Sequence, residues 1–358
     1  MKQSAKQFNP KVILAIETSC DETAIAVLEA NADSFRITKS LISSQQDIHM
    51  QYGGVVPEVA ARAHITTIIP LIRKGIGRTI PDAIAVTAGP GLITSLLVGV
   101  HTARALSYIY RKPLIRVNHI EGHIYANFLE KKILLEQGRE ATIPFPALVL
   151  IVSGGHTELI LMKDHGQYQR IGKTLDDAAG EAFDKAAKIF NLPYPGGPSI
   201  ANRAVFGDPF RSPLPFPMLH SGNCSFSFSG LKTAVLYRVR DLKKNKHYSP
   251  EMRDHLCASF QHSVVSVLVA KTIRAAKQFG VASILLGGGV AANIALRESL
   301  ARAVSTMHPH TELILSPLQY CTDNAAMIAV AAFFKAKKKD FASPFACITD
   351  PSWDITDE

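Results

Sequence analysis

The feature that most constrains the fold of this chain is a pattern of strands and turns that occurs twice. Residues 12–18 and 24–28 are apolar runs joined by a short polar turn, which predicts a β-hairpin. Residues 147–152 and 159–162 repeat this arrangement around a glycine-rich turn. A further strand candidate follows each hairpin, at residues 35–43 and 169–173. The repetition predicts two lobes of similar construction.

The second half of the pattern also recurs. In each copy a strand, 83–87 or 284–286, runs into a loop of small residues and then into a helix. Each copy ends with a short strand that delivers polar groups, Asn118-His119 in the first and Cys321-Thr322-Asp323 in the second, followed by another helix. This alternation predicts an α/β fold with mixed sheets and flanking helices. Two mixed α/β halves that merely look alike are the alternative.

Ligands of open α/β sheets bind beyond the carboxyl ends of the strands, where every polar loop of this chain is predicted to lie. We therefore expect the loops of the two lobes to face a common cleft. The 358 residues suffice for two domains, each with its own core. We predict lobe I at residues 10–117 and 319–340, lobe II at residues 118–318, and terminal extensions at residues 1–9 and 341–358.

Composition excludes several classes of protein. The five cysteines are scattered and never form a CxxC pair, which argues against a disulfide framework or a zinc knuckle and favours a reducing compartment. No uninterrupted apolar run suggests a secretory signal or a membrane span, so we expect a cytoplasmic protein with no membrane partner. The net charge of +9 favours a polyanionic partner such as RNA, although a solvated basic surface explains it equally well.

The most specific chemical signal is the pair His119 and His123. On a helix these residues lie roughly 40° apart, so both imidazoles can reach one metal ion. Glu121 lies about 200° from His119 and points away, unlike the glutamate of an HExxH metalloprotease. Asp323 ends the corresponding strand of the other copy, and pseudo-symmetry would place its carboxylate opposite the pair. A structural histidine pair and a helix N-cap at Thr322 or Asp323 are the alternatives.

Glycine-rich loops form the second candidate site. The hairpin tip at residues 153–157 offers backbone amides that no Cβ obstructs, which suits a phosphate. Residues 287–293 end a strand and open a helix, so their amides favour an anion or a ribose. An acidic helix at residues 176–185 and the turn at 195–198 follow the hairpin, and either a ligand role or a solvated surface explains them. The chain has neither a P-loop nor a GxGxxG motif.

Nine motifs, taken in order, resemble those of one known family: Ile16-Glu-Thr-Ser-Cys-Asp-Glu-Thr23, 53–58, 118–123, 153–157, 176–185, 195–198, 227–233, 287–293 and 321–324. The chain resembles the TsaD family, the tRNA threonylcarbamoyladenosine transferases formerly called O-sialoglycoprotein endopeptidases. The resemblance implies the two-lobed actin, Hsp70 and sugar-kinase-like fold. It also implies transfer of a threonylcarbamoyl group from threonylcarbamoyl-adenylate to N6 of adenosine 37, in tRNAs that read codons beginning with A.

Roles for single residues follow from the same resemblance. It implies a metal held by His119, His123 and Asp323, with Fe(II) favoured and Zn(II) possible. The residues that it implies for binding the adenylate are Ile151, Val152, Ser153, Gly154, Gly155, Asp184, Gly197 and Asn293. Glu22 matches a glutamate implicated in activity, and its role as a base is a hypothesis. Ala201 stands where some members carry an aspartate, so a ribose contact from that side chain is absent or replaced.

The resemblance further implies partners: the tRNA anticodon loop, a paralogous protein of related fold and a small ATPase. Two other functions are alternatives. A small-molecule kinase on the same fold would need a carboxylate that acts as a base on the substrate beside bound ATP. It would not need a histidine pair. A metalloprotease is disfavoured because Glu121 is predicted to point away from the histidines.

Overall fold

The computed structural model describes residues 10–31, 34–136 and 143–357. Five strands come from the first half of the chain: β1 Val12–Glu17, β2 Glu22–Ala30, β3 Phe35–Ser44, β4 Ala83–Gly89 and β5 Leu114–Asn118. Five come from the second half: β6 Ala147–Val152, β7 Thr157–Asp164, β8 Gln167–Lys173, β9 Ser283–Gly287 and β10 Glu312–Leu315. All of the predicted strands are therefore confirmed, with small shifts at their ends.

The helices connect these strands. They are α1 Gln46–Met50, α2 Pro57–Ile76, α3 Ile93–Tyr110, α4 His119–Glu136, α5 Ala179–Ile189, α6 Gly196–Ala204, α7 Ser229–Lys244, α8 Pro250–Phe279, α9 Ile294–Met307 and α10 Ala325–Lys337. Short 3-10 turns at Gly289–Ala292, Leu318–Tyr320 and Ile355–Asp357 complete the regular structure of the described residues. Both Gly-rich loops that follow β4 and β9 lead into a helix, as their sequences predict.

The two sheets have the same topology. The first has the order β3-β2-β1-β4-β5 and the second the order β8-β7-β6-β9-β10, each with five strands. In both, the hairpin and the strand after it pair antiparallel, while the last two strands are parallel additions beside the first. The predicted duplication is confirmed, because corresponding strands occupy corresponding positions.

The described residues form two compact units whose boundaries differ from the predicted ones. The first unit takes its residues from Met1–His49, Val55–Leu129 and Asp323–Glu358, and the second from Met50–Gly54 and Glu130–Thr322. The first part of α4, predicted to start lobe II, therefore belongs to the first unit. The reason is that β5 continues into α4 without a connecting loop, so the start of the helix stays attached to the first sheet.

Helix α10 explains why the chain returns to its first unit. The helix is apolar on nearly every side and almost wholly buried, as expected for a helix inside a core. It packs against β1 and β2 of the first sheet, while α2 packs against β2 and α3 against β4. These contacts bring Asp323, two residues before the start of α10, into the first unit.

Helix α8 is the central helix of the second unit. It is long and apolar enough to cross a membrane by length and composition, but most of its apolar stretch is buried inside the protein. Ser249 caps its N-terminus by accepting a hydrogen bond from the Met252 amide, and Gly280 ends it in a left-handed conformation. These features are those of a core helix.

Residues 341–353, which we call the C-terminal strap, lie against the first unit. The Ala342 amide donates to the Leu114 carbonyl at 2.8 Å, and the Asp350 amide donates to the Ala88 carbonyl at 2.8 Å. The Trp353 ring lies under the Arg116 guanidinium, 4.6 Å from its carbon to the ring centroid. The strap thus covers the edge strand β5 and the loop after β4, which its prediction as a terminal extension did not anticipate.

Candidate metal site and glycine-rich hairpin

The junction of β5 and α4 fixes the two histidines. Asn118 is the last residue of β5, and its Oδ1 accepts hydrogen bonds from the Ile120 amide at 2.9 Å and the Glu121 amide at 3.4 Å. This N-cap starts the helix at once, so His119 and His123 lie one turn apart on the same side. Their ring centroids are 4.7 Å apart, as the helical spacing predicts.

Asp323 completes the cluster. Its Oδ1 lies 3.4 Å from His119 Nε2 and 3.3 Å from His123 Nε2. The N-cap of α10 is Asn324, whose side chain accepts from the Met327 amide, so the alternative of a capping Asp323 is wrong. The carboxylate is thereby left to face the imidazoles. All three residues belong to the first unit, whereas the predicted boundaries put the histidines and Asp323 in different lobes.

The donor set fits a divalent cation. One nitrogen of each histidine and one oxygen of Asp323 lie within 4.8 Å of one another. His123 is fully buried, and neither of its ring nitrogens has a hydrogen-bond partner of acceptable geometry among the described residues. Burial lowers the pKa of His123, so its imidazole is neutral, as a metal ligand must be. The Asp323 side chain keeps 21% of its surface exposed, which leaves access to the cluster.

Glu17 belongs to the candidate site, and the sequence analysis missed it. It is fully buried at the end of β1, and its Oε2 lies 3.2 Å from His119 Nδ1. Thr87 Oγ1 and the Ser19 amide each donate to this carboxylate at 2.5 Å. A carboxylate that accepts a hydrogen bond from Nδ1 keeps the proton on that nitrogen. The other ring nitrogen, Nε2, is then free to face a metal ion. A glutamate that ends an apolar strand, inside the motif at residues 16–23, was the signal available in the sequence.

Charge balance in the cluster depends on the same residues. Burial disfavours the protonated form of His119, but Asp323 and Glu17 outweigh it and raise the pKa of His119 to about 10. Burial likewise opposes ionisation of Asp323, and the two imidazoles reverse this effect and lower the pKa of Asp323. In the absence of a cation, His119 is therefore an imidazolium between two carboxylates. A divalent cation held by His119, His123 and Asp323 would replace the proton on His119 Nε2.

Glu22, predicted as the base, lies in the first unit at the start of β2. Its side chain is partly buried, and Ser44 Oγ donates to its Oε1 at 2.9 Å. Burial, with the neighbouring carboxylates of Asp21 and Asp323, raises the pKa of Glu22 to about 9. The carboxyl group is therefore protonated at neutral pH and can accept a proton only after it has lost its own.

The glycine-rich hairpin lies in the second unit, at the carboxyl end of β6. Ile151 and Val152 are buried in the strand, whereas Gly154 and Gly155 are exposed at the tip. A Cβ built on either glycine meets nothing within 4 Å, so the tip presents unobstructed backbone amides. The turn is closed by the Ser153 amide, which donates to the His156 carbonyl at 2.8 Å.

Two further glycines bring neighbouring elements close to this tip. A Cβ on Gly180, in the first turn of α5, would lie 2.6 Å from the Ser153 carbonyl oxygen. A Cβ on Gly288, whose φ is +94°, would lie 2.4 Å from the Val152 carbonyl oxygen. Only glycine permits these approaches. The tip, the start of α5 and the loop after β9 therefore lie together. The strand ends predicted that the tip and the loop after β9 would be neighbours, but not that the start of α5 would join them.

Two of the three remaining predicted adenylate residues have hydrogen-bond partners within the protein. Asp184 Oδ1 on α5 accepts from the Gly196 amide at 2.7 Å, which fixes the start of α6 beside α5. Gly197 is the second residue of α6, and a Cβ built on it would meet nothing within 4 Å. Asn293 caps α9 by accepting from the Leu296 amide at 3.0 Å, and its Nδ2 donates to Gln261 Oε1 at 2.8 Å. All eight residues lie in the second unit.

Sequence comparison then decides the family. Residues 36–330 match the family model described as TsaD, tRNA N6-adenosine threonylcarbamoyltransferase. This chain belongs to the TsaD family. The tRNA N6-adenosine threonylcarbamoyltransferase of Geobacillus thermodenitrificans is 48% identical to it over 339 residues, covering 92% of this chain and 94% of the relative. The protein of the same description from Bacillus subtilis is 48% identical over 332 residues, covering 91% of each chain.

Solved structures support the fold assigned to this TsaD member. Full-length HypF in its phosphate- and nucleotide-bound form aligns with a TM-score of 0.60 at 14% identity, covering 94% of this chain and 48% of that structure. HypF from T. kodakarensis aligns with a TM-score of 0.54 at 12% identity, covering 94% and 49%. The chain spans about half the length of these two structures. At this identity the likeness concerns the fold alone, which is the actin, Hsp70 and sugar-kinase-like fold.

Proposed function

We propose that this chain transfers the threonylcarbamoyl group of threonylcarbamoyl-adenylate to N6 of adenosine 37, in tRNAs that read codons beginning with A. The observation that carries the proposal is the buried cluster of His119, His123 and Asp323 in a chain of the TsaD family. In this reaction the N6 amine attacks the carbamoyl carbonyl carbon and AMP leaves. The enzyme must therefore position two reactants and stabilise the charge that develops on the departing phosphate.

The second unit supplies the proposed adenylate site. The amides of Gly154 and Gly155 suit the phosphate, because a Cβ built on either residue meets nothing within 4 Å. Ser153 would hold the tip in place, since its own amide closes the turn by donating to the His156 carbonyl. Ile151 and Val152 fix the strand that carries this tip. Asp184, Gly197 and Asn293 would complete the site around the nucleoside. Ala201 lies on α6, where its methyl group offers no hydrogen bond to a ribose.

The first unit supplies the proposed metal site, with Fe(II) favoured and Zn(II) possible. Imidazole and carboxylate ligands suit both ions. A bound cation would supply positive charge that anchors or polarises a substrate oxygen. Glu17 orients His119 toward the site, and Glu22 would accept the N6 proton once it is ionised. The raised pKa of Glu22 makes it a strong base when it is in that form.

A metalloprotease is disfavoured by the position of Glu121. This side chain is buried, and its Oε2 lies 3.7 Å from Lys335 Nζ, so an ion pair within the core occupies it. A zinc-bound water in a protease needs a glutamate that faces the metal. The net charge of +9 is consistent with tRNA as the substrate. We further propose that a paralogous protein of related fold and a small ATPase assist the reaction in the cytoplasm.

The direct test is mass spectrometry of tRNA nucleosides after incubation with threonylcarbamoyl-adenylate, with and without the partner proteins. We expect threonylcarbamoyladenosine to form with the wild-type chain. We expect it to be lost, together with bound metal, when His119→Ala and His123→Ala are combined. His101→Ala, on the exposed side of α3, is the matched control. Absence of the modified nucleoside in every reaction, with ATP-dependent phosphorylation of a small metabolite instead, would favour a kinase.

A further inference from the structure

One side of helix α7 is exposed and carries basic and aromatic side chains. Its opposite side is apolar and buried, through Leu231, Val235, Val239 and Leu242. The residues that we call the α7 basic face are Tyr237, Arg240, Lys243, Lys244 and, just beyond the helix, Lys246. The four that lie on the helix fall within an arc of roughly 120°. They therefore form one continuous surface.

The positive charge of this surface is not neutralised within the unit. Arg240, Lys243, Lys244 and Lys246 make no ion pair with any residue in the described parts of the chain. Asp241 is the one acidic residue between 229 and 247. Its Oδ2 lies 3.8 Å from Arg238 Nη1, and its Oδ1 accepts a hydrogen bond from Asn245 Nδ2 at 3.1 Å. Its negative charge is therefore paired with Arg238 and not with the cations of the α7 basic face. The face thus offers four cations to an outside partner.

Helix stability accounts for only part of this pattern. Lysines in the last turn interact favourably with the helix dipole, which explains Lys243 and Lys244. The dipole does not explain Arg240, which lies a turn earlier, or Tyr237, whose surface is 61% exposed. A cationic surface with an exposed aromatic ring is the combination that binds nucleic acid, through phosphate contacts and stacking.

The start of α7 is tied to the proposed adenylate site within the second unit. Asp176 accepts hydrogen bonds from the amides of Phe228 at 2.7 Å and Ser229 at 3.2 Å, which anchors the first turn of α7. Asp176 lies three residues before the start of α5, whose Gly180 packs against the hairpin tip at Ser153. The basic face therefore extends away from the hairpin region along a helix about 24 Å long.

We propose that the α7 basic face docks the phosphate backbone of the tRNA anticodon stem. The inference rests on the proposed function, since it takes tRNA as the substrate. The reacting adenosine lies in the loop that closes this stem, so the stem phosphates form the rigid charged surface next to the loop that carries the reacting base. Arg240, Lys243, Lys244 and Lys246 contact these phosphates, and Tyr237 packs on a ribose or an unpaired base.

The test compares two double variants that remove the same charge from the same unit. Lys243→Gln with Lys244→Gln alters the face, while Lys163→Gln with Lys173→Gln alters exposed lysines on β7 and β8. The equilibrium affinity for unmodified tRNA is measured over a range of salt concentrations. We expect the face variant to bind tRNA about tenfold more weakly than the wild-type chain. The slope of log affinity against log salt concentration should become shallower by the amount that corresponds to about two phosphate contacts. The control variant should match the wild-type chain.

Kinetics separate this proposal from the proposed function. With a wild-type chain that modifies tRNA, we expect the face variant to raise the KM for tRNA while kcat and the KM for threonylcarbamoyl-adenylate stay unchanged. If the wild-type chain itself modifies no tRNA, the proposed function fails. If the wild-type chain is active and the face variant keeps its tRNA affinity and KM, the docking proposal is wrong. Loss of binding to anionic lipid vesicles, with tRNA binding intact, would assign the face to a membrane instead.

Discussion

Glu17 shows how a single residue connects the fold to the candidate metal site. It is the last residue of the central strand β1, and it receives hydrogen bonds from Thr87 and Ser19 while facing His119 Nδ1. A buried carboxylate persists only when such partners satisfy it. The strand end therefore holds an anion where it can orient a ligand.

Glu17→Gln tests this positioning role. The amide keeps the size of the side chain but removes the charge that orients His119, so we expect metal affinity to fall by about 10- to 100-fold. Competition with a chelator measures the affinity without turnover. Glu29→Gln, which breaks an exposed ion pair with Arg36, is the control. Equal affinities in the two variants would contradict the role of Glu17.

The raised pKa of His119 predicts a pH-dependent stability in the metal-free chain. The imidazolium contributes stability that is complete below pH 6.5 and is lost as pH rises through about 10. The raised pKa of Glu22 acts in the same direction, so the wild-type chain alone does not isolate His119. Denaturant unfolding with a chelator should therefore show a smaller decline with pH in His119→Gln. Equal declines in both chains would contradict the contribution of His119.

Glu22 makes a kinetic prediction of its own. If it accepts the N6 proton, kcat/KM increases with pH toward about 9, because the ionised fraction of Glu22 increases. Glu22→Gln should lower the rate by about 100-fold or more and abolish this increase. Initial rates of tRNA modification across this pH range provide the measurement. A wild-type rate that falls over the same range would indicate that Glu22 acts as an acid.

At the scale of elements, the C-terminal strap and the loop after β4 depend on one glycine. Gly89 has a φ of +154°, and a Cβ at this position would lie 1.7 Å from the Asp350 carbonyl oxygen. The next part of this loop contacts Ser19, whose carbonyl accepts from the Leu92 amide at 2.8 Å. Ser19 Oγ lies 3.1 Å from His119 Nδ1. The strap is therefore connected to the candidate metal site through packed backbone and the Ser19 side chain.

Gly89→Ala should displace the strap, because neither backbone can yield without losing hydrogen bonds. We expect a loss of about 2–4 kcal/mol in the free energy of unfolding and faster proteolysis near residue 350. Gly230→Ala, in the first turn of α7 with open space around it, is the matched control and should change stability little. Urea unfolding and limited proteolysis measure the two effects. Unchanged protection of the strap would show that it does not depend on Gly89.

At the scale of the whole molecule, packing stabilises the chain, and no disulfide joins the residues that the structure describes. All five cysteines are free, and four of them are buried, leaving Cys20 partly accessible. Burial and the neighbouring Asp21 raise the pKa of the Cys20 thiol, which makes it a poor nucleophile at neutral pH.

The state of these thiols gives a prediction for the intact protein. The thermal midpoint should be the same with and without a reductant, since no disulfide contributes to stability. A thiol reagent should label at most one cysteine in the folded chain and all five in denaturant. Mass spectrometry of the labelled protein counts them. A midpoint that drops on reduction would reveal a disulfide and contradict this account.

The sequence alone determined the secondary structure, the duplication and the family. Strand and helix periodicity is local, so the two hairpins, the glycine loops and the spacing of His119 and His123 could be predicted from neighbouring residues. The tertiary structure decided which distant residues meet. Packing of α10 against β1 and β2 brings Asp323 into the unit of the histidines, and the sheet register places Glu17 behind His119. Such contacts depend on burial summed over whole elements, which no local pattern records.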